Sequence, residues 1–133
     1  RDLETISLAL TAAETGHLVF GTLHTNSAPS TIDRIIDVFP PEQQEQVRSQ
    51  LASSLRCVIT QKLLKRIDKV GRVGAFEIMI CNAAIKNLIR ENKIFQIGNS
   101  MQMGKGEGQM LMGNSLKELI SQGVIAAADA EIE

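Results

Sequence analysis

Residues 17–23 read His-Leu-Val-Phe-Gly-Thr-Leu, a nearly continuous apolar run without alternation. Such a run predicts a strand buried on both faces, the kind found in parallel sheets. A chain holding that strand must cover it with other elements, and the flanks supply them. Residues 2–14 repeat Leu3, Ile6, Leu10 and Ala13 at helical spacing, with Gly16 placed to end the helix. After the strand, Thr25-Asn26-Ser27 is a turn, and Ser27 or Ala28 ahead of Pro29 suits the start of a second helix. That helix buries Ile32, Ile35 and Ile36 and stops before Pro40. Pro41 opens a third, with Val47, Leu51 and Leu55 in one stripe.

Residues 57–65 and 72–80 predict two strands joined by a charged loop containing Gly71. From Asn82 onward the pattern is helical, over 83–92, 94–103 and 114–122. Between the last two, residues 98–113 hold five glycines and four methionines and predict a flexible connection. Gly104-Lys105-Gly106 lacks the spacing and the following hydroxyl of a Gly-x-x-x-x-Gly-Lys-Ser/Thr phosphate loop. The order helix, strand, helix, helix, strand, strand argues for an α/β core.

His24 follows the apolar run and precedes the polar turn. In open α/β sheets, ligands bind outside the carboxyl ends of strands. A histidine there donates to a phosphate oxygen or caps the turn through a backbone carbonyl, and position leaves both readings open. Thr22, Thr25 and Asn26 add short polar groups beside it. His17 starts the same run. On a straight strand at about 3.3 Å per residue the two histidines stand roughly 23 Å apart and cannot share one phosphate. His17 then belongs to the opposite sheet edge or to a domain contact.

Several function classes are disfavoured. A net charge of −1 points to neither nucleic acid nor an anionic membrane. The absence of Trp and Tyr argues against an aromatic stacking platform. The apolar runs are too short to span a bilayer, so no direct membrane insertion is expected. The first residues do not read as a basic-plus-apolar leader, so no export signal is expected from them. It begins at Arg1 rather than Met, which suggests missing upstream sequence. Cys57 and Cys81 lack metal-ligand spacing and read as two buried reduced thiols, in keeping with a reducing cytoplasm. No hydrolase triad or metal cluster is apparent. Lys62, Lys65, Arg66, Lys69 and Arg72 read as a solvated basic cluster. Residues 84–91 predict an amphipathic helix with Ile85, Leu88 and Ile89 on one face and Lys86, Asn87, Arg90 and Glu91 on the other.

Three stretches carry a family resemblance. Arg1-Asp2-Leu3-Glu4-Thr5-Ile6 resembles the residues after the catalytic glutamate of a Walker B segment. Residues 11–28, with Gly16-His17-Leu18-Val19-Phe20-Gly21-Thr22-Leu23-His24-Thr25-Asn26-Ser27-Ala28, resemble a His box. Ala84-Ile85-Lys86-Asn87-Leu88-Ile89-Arg90-Glu91 is similar to an Ala-Ile-Arg-Asn-Leu-Ile-Arg-Glu motif, with Lys86 in place of the first arginine. Together they resemble the secretion ATPases, most closely the twitching-motility (PilT-type) ATPases that retract type IV pili.

The resemblance implies the C-terminal part of a RecA-like P-loop core over residues 1–81, followed by a helical C-terminal region over residues 82–133. The phosphate loop, the catalytic glutamate and a PAS-like domain would precede Arg1. It implies a homo-hexameric motor using ATP and Mg2+, in the cytoplasm at the inner-membrane base of the pilus, working on a platform protein. It assigns His24 and His17 to catalysis, with His24 sensing the γ-phosphate. Thr22, Thr25, Arg1 and Asp2 are assigned to nucleotide binding, and residues 84–91 to retraction. Two other expectations stand beside this one: a non-catalytic docking domain of the same fold, and a pilus-assembly or type II secretion ATPase.

Overall fold

The computed structural model describes residues 2–130. Its elements run α1 Leu3–Glu14, α2 Ala28–Asp37, α3 Pro41–Ser54, β1 Cys57–Lys65, β2 Arg72–Ile80, α4 Ala83–Arg90, α5 Ile97–Met103, α6 Met112–Ser121 and α7 Ala127–Ala130. Local chemistry sets most of the boundaries. Asp2 caps α1 by accepting the Thr5 N–H at 2.8 Å. Ser27 and Ser30 form a capping box on α2, with Pro29 in its first turn. Pro41 starts α3, and Asn82 caps α4 by accepting the Ile85 N–H.

β1 and β2 pair antiparallel from Cys57↔Ile80 to Lys65↔Arg72. The inner face carries Val58, Thr60 and Leu64 with Ala75, Glu77 and Met79, all buried. The outer face leaves Ile59 and Leu63 exposed. Packed against the hairpin, α1 to α5 build one apolar cluster from Ile6 and Leu10 through Ile32, Leu51 and Met79 to Ile89 and Met101. A smaller cluster joins Leu64 and Ala75 to Leu116 and Ile125.

Two expectations fail here. Residues 17–23 form no strand, and Leu18, Val19 and Phe20 are 80%, 38% and 87% exposed. A strand is defined by a hydrogen-bonding partner, and the described residues bring none to this run. The single sheet among them is the two-stranded antiparallel hairpin. The α/β reading as the C-terminal part of a RecA-like core with a helical region behind it is therefore corrected: the described residues form helices packed on an antiparallel hairpin. Nor does packing break between residues 81 and 82, because Met79, Cys81, Ile85 and Ile89 share one core.

The Gly- and Met-rich stretch is also ordered by contacts rather than left as a flexible connection. Part of it is α5. Its later residues close the open edge of β2. Ile78 and Met110 exchange backbone bonds at 2.8 and 2.9 Å. The Gln109 amide accepts the Ile80 N–H and donates to the Ile80 carbonyl, both at 2.7 Å. The Ser115 hydroxyl accepts the Phe76 N–H at 3.0 Å. Covering an edge in this way removes a template for pairing with other chains. Gly108 makes the turn possible: its φ is +97°, and a Cβ there would lie 2.9 Å from Ile80 Cδ1. Gly108→Ala is expected to lower stability by about 1–2 kcal/mol, measured by chemical denaturation. Gly106→Ala, with open space around it, is the control. Equal losses for the two would contradict the edge-closing role of Gly108.

The cysteines divide between the faces. Cys81 is buried, and burial raises its thiol pKa, while Cys57 is exposed and not the second buried thiol expected. Of the basic cluster, Arg66 chelates Asp68 at 2.6–2.8 Å in the hairpin loop and holds that carboxyl down at about 2.

Candidate functional site

The site is assembled at the start of α2. His24 is exposed and lines an open groove of about 530 Å³ with Thr25, Asn26, Ser30, Asp33 and Arg34. Four contacts pin the segment that carries it. Arg34 donates to the His24 carbonyl at 3.2 Å. The Thr25 and Thr31 hydroxyls are bonded to each other, and Thr31 gives its one proton to the Ser27 carbonyl. The Thr25 proton is therefore committed to Thr31. The Ser27 capping box is the third contact. The fourth is Glu77 on β2, whose Oε2 accepts the Ala28 N–H at 2.7 Å.

The groove's polar rim fits an anion on one side. His24, Asn26 and Arg34 all carry groups that can donate to anionic oxygens. Asp33 and Asp37 oppose it on the other side, and burial with the nearby Asp37 charge raises the Asp33 pKa. No group of three His, Cys, Asp or Glu side chains is placed to share a metal among the described residues.

The other expected site residues lie elsewhere. His17 is exposed and does not line the groove. Its Nδ1 lies 3.2 Å from the Ala12 carbonyl and 3.3 Å from the Thr15 hydroxyl. The carbonyl can only accept, so Nδ1 carries the proton and the ring caps the end of α1. Asp2 is the α1 cap, and the Thr5 N–H holds its carboxyl below the usual value. Thr22 is exposed on the segment before the groove. Arg1 lies outside the described residues.

Residues 84–91 divide by burial. Ile85 and Ile89 are fully buried on α4, and Leu88 packs at the edge of the core. Lys86 is half-buried, while Ala84, Asn87, Arg90 and Glu91 are exposed. Arg90 donates to the Asn87 side chain at 2.9 Å, and Glu91 pairs with Lys93 at 3.3 Å.

Glu77, Arg34, Thr31 and Ser30 escaped the sequence reading. For Glu77 one signal was available: it is the lone acidic residue in the otherwise apolar stretch Val73-Gly74-Ala75-Phe76-Glu77-Ile78-Met79-Ile80.

The model of the type II/IV secretion system protein family matches residues 1–130. The chain belongs to that family. As a type II/IV secretion system protein it is 60% identical over 126 residues to a twitching motility protein of Neisseria gonorrhoeae, covering 95% of this chain and 34% of that protein. It is 56% identical to the type IV pilus retraction ATPase PilT of Pseudomonas aeruginosa, covering 98% of the chain and 38% of that protein. It superposes on a crystal structure of the pilus retraction motor PilT with bound ADP at a TM-score of 0.89 and 54% identity, covering 98% of this chain and 36% of that one. The chain thus spans about a third of the length of these relatives. The family match runs unbroken to residue 130. It does not single the chain out as the C-terminal part of an ATPase core with a helical region appended, which corrects the fold reading a second time. Among the described residues, no helix is long and apolar enough to cross a membrane.

Proposed function

We propose that this chain is part of a hexameric motor ATPase that couples ATP hydrolysis to retraction of type IV pili. The observation that carries the reading is its 60% and 56% identity, over nearly the whole chain, to a twitching motility protein and a pilus retraction ATPase. The motor works in the cytoplasm at the inner-membrane base of the pilus, on a platform protein. Bound ATP with Mg2+ supplies the free energy of phosphoanhydride hydrolysis.

The chain's own residues contribute one wall of that site. His24 donates a hydrogen bond to a terminal phosphate oxygen. The imidazole suits this role because it is held on a short segment tied to α2, so losing the contact changes the restraint on a helix. Phosphate contacts that exist only before hydrolysis report nucleotide state in this manner. Thr25 and Arg34 position the segment. His17 caps the end of α1 ahead of the segment, and Thr22 lies on the run that leads into it. The exposed residues of α4, with Lys86, form the surface that serves retraction.

The test is genetic and direct. Cells lacking the gene should keep extended pili and lose twitching, because a retraction motor is needed only to withdraw them. Loss of the pili themselves would replace this reading with a pilus-assembly ATPase. Normal twitching would overturn it.

A further inference from the structure

We infer that Glu77 is a positioning residue that couples the His24 segment to α6. Its carboxylate sits on the inner face of β2, 6% exposed, and caps two helices at once. Oε2 accepts the Ala28 N–H of α2 at 2.7 Å, and Oε1 accepts the Met112 N–H of α6 at 3.1 Å. Ala28 and Met112 are the first residues of their helices. Their N–H groups are among those a helix leaves without internal partners.

The two helices depend on the carboxylate unequally. α2 has its own cap in Ser27, whereas the N-cap residue of α6, Leu111, has no side chain that can bond a helix N–H. A carboxylate accepting two N–H groups forms charge-assisted bonds, and both helix dipoles favour its charge. A displacement of the α2 start therefore pulls on the group that anchors α6. The same segment of chain, through Gln109, Met110 and Ser115, closes the edge of β2 on either side of Glu77. The hairpin, the His24 segment and α6 thus meet at one side chain. That the coupling transmits nucleotide state rests on the reading of His24 above; the coupling itself does not.

A hydrogen-exchange cycle on the nucleotide-free full-length protein tests it. Ser27→Ala removes the private cap of α2. It is expected to raise exchange about three- to tenfold over residues 28–31 and by a similar factor over residues 112–115. Glu77→Gln keeps the shape but offers one acceptor oxygen instead of two, so one N–H meets an amide N–H. This variant should raise exchange by about tenfold at the helix start that loses its acceptor. Adding Ser27→Ala to it should then affect residues 28–31 alone. Thr60→Val, opposite Glu77 on β1, alters the neighbourhood without removing a cap and should leave both starts unchanged. If Glu77→Gln fails to fold, Glu77→Asp, one methylene shorter and able to reach one helix start, takes its place.

The inference is overturned if Ser27→Ala leaves residues 112–115 within twofold of the parent, or reaches them equally in the Glu77 variants. Repeating the exchange with ADP and with a non-hydrolysable ATP analogue separates it from the sensor reading. Absence of any nucleotide effect over residues 22–30 would remove the sensor and leave the coupling standing. A nucleotide effect there with a failed cycle would do the reverse.

Discussion

His24→Ala in the full-length protein is expected to lower ATP turnover by about two orders of magnitude, while nucleotide affinity stays within about threefold. The split follows from where the contact acts. A donor that strengthens its bond as charge develops on a phosphate oxygen contributes mainly to the rate, and removing one such donor costs about 10²–10³ in turnover. The segment should survive the change. The segment is held by the Thr25–Thr31 bond, the Ser27 capping box and the Glu77 bond to Ala28, none of which the substitution removes. Arg34 grips the His24 backbone carbonyl, which alanine keeps. Steady-state turnover, equilibrium binding of a fluorescent nucleotide and a melting curve check the three parts. Unchanged turnover would take His24 out of the site. A large loss of affinity would make it a binding residue rather than a sensor.

Ile89→Ala should cost about 2–5 kcal/mol of stability, the range for emptying a fully buried branched side chain. Ile89 is 0% exposed and shares its cluster with Ile85, Ile97 and Met101. Asn87→Ala and Arg90→Ala, both on the exposed face of α4, should stay within about 0.5 kcal/mol. Chemical denaturation of the three variants measures the difference. A loss below about 1 kcal/mol for Ile89→Ala would mean that α4 is not anchored as described. The contrast bears on how residues 84–91 are to be probed. Substituting the apolar positions removes the helix along with whatever it does. Asn87 and Arg90 leave the helix in place, so a retraction defect in those variants would be a defect of surface and not of folding.

Much of the chain was legible from local chemistry. The starts of α2 and α3 followed from Ser27 with Pro29 and from Pro41, because caps and prolines act within one turn of themselves. The hairpin strands over 57–65 and 72–80 came out at the same residues in the structure, since β-rich segments on either side of a charged Gly71 loop need only each other. The conditions for the remaining elements lie farther away. Residues 17–23 have the composition of a buried strand, but a strand requires a partner edge, and composition does not say where that edge is. The Gly- and Met-rich stretch has the composition of a loose linker, yet it is held by β2, about 30 residues back. Cys57 falls outward because the pleat puts alternate residues on opposite faces.

The sequence by itself determined the starts of α2 and α3, the hairpin and the polar turn at His24, and it carried enough family signal to point to a secretion ATPase. Only the tertiary structure decided which groups hold that turn. It placed His17 on the end of α1, committed the Thr25 proton to Thr31, and sorted residues 84–91 into anchor and surface. It also brought Glu77 to two backbone N–H groups that lie 49 and 35 residues away in sequence. The physical reason is range. Caps, turns and amphipathic faces are settled within a few residues, whereas a buried carboxylate takes its meaning from donors that only folding brings within hydrogen-bond distance.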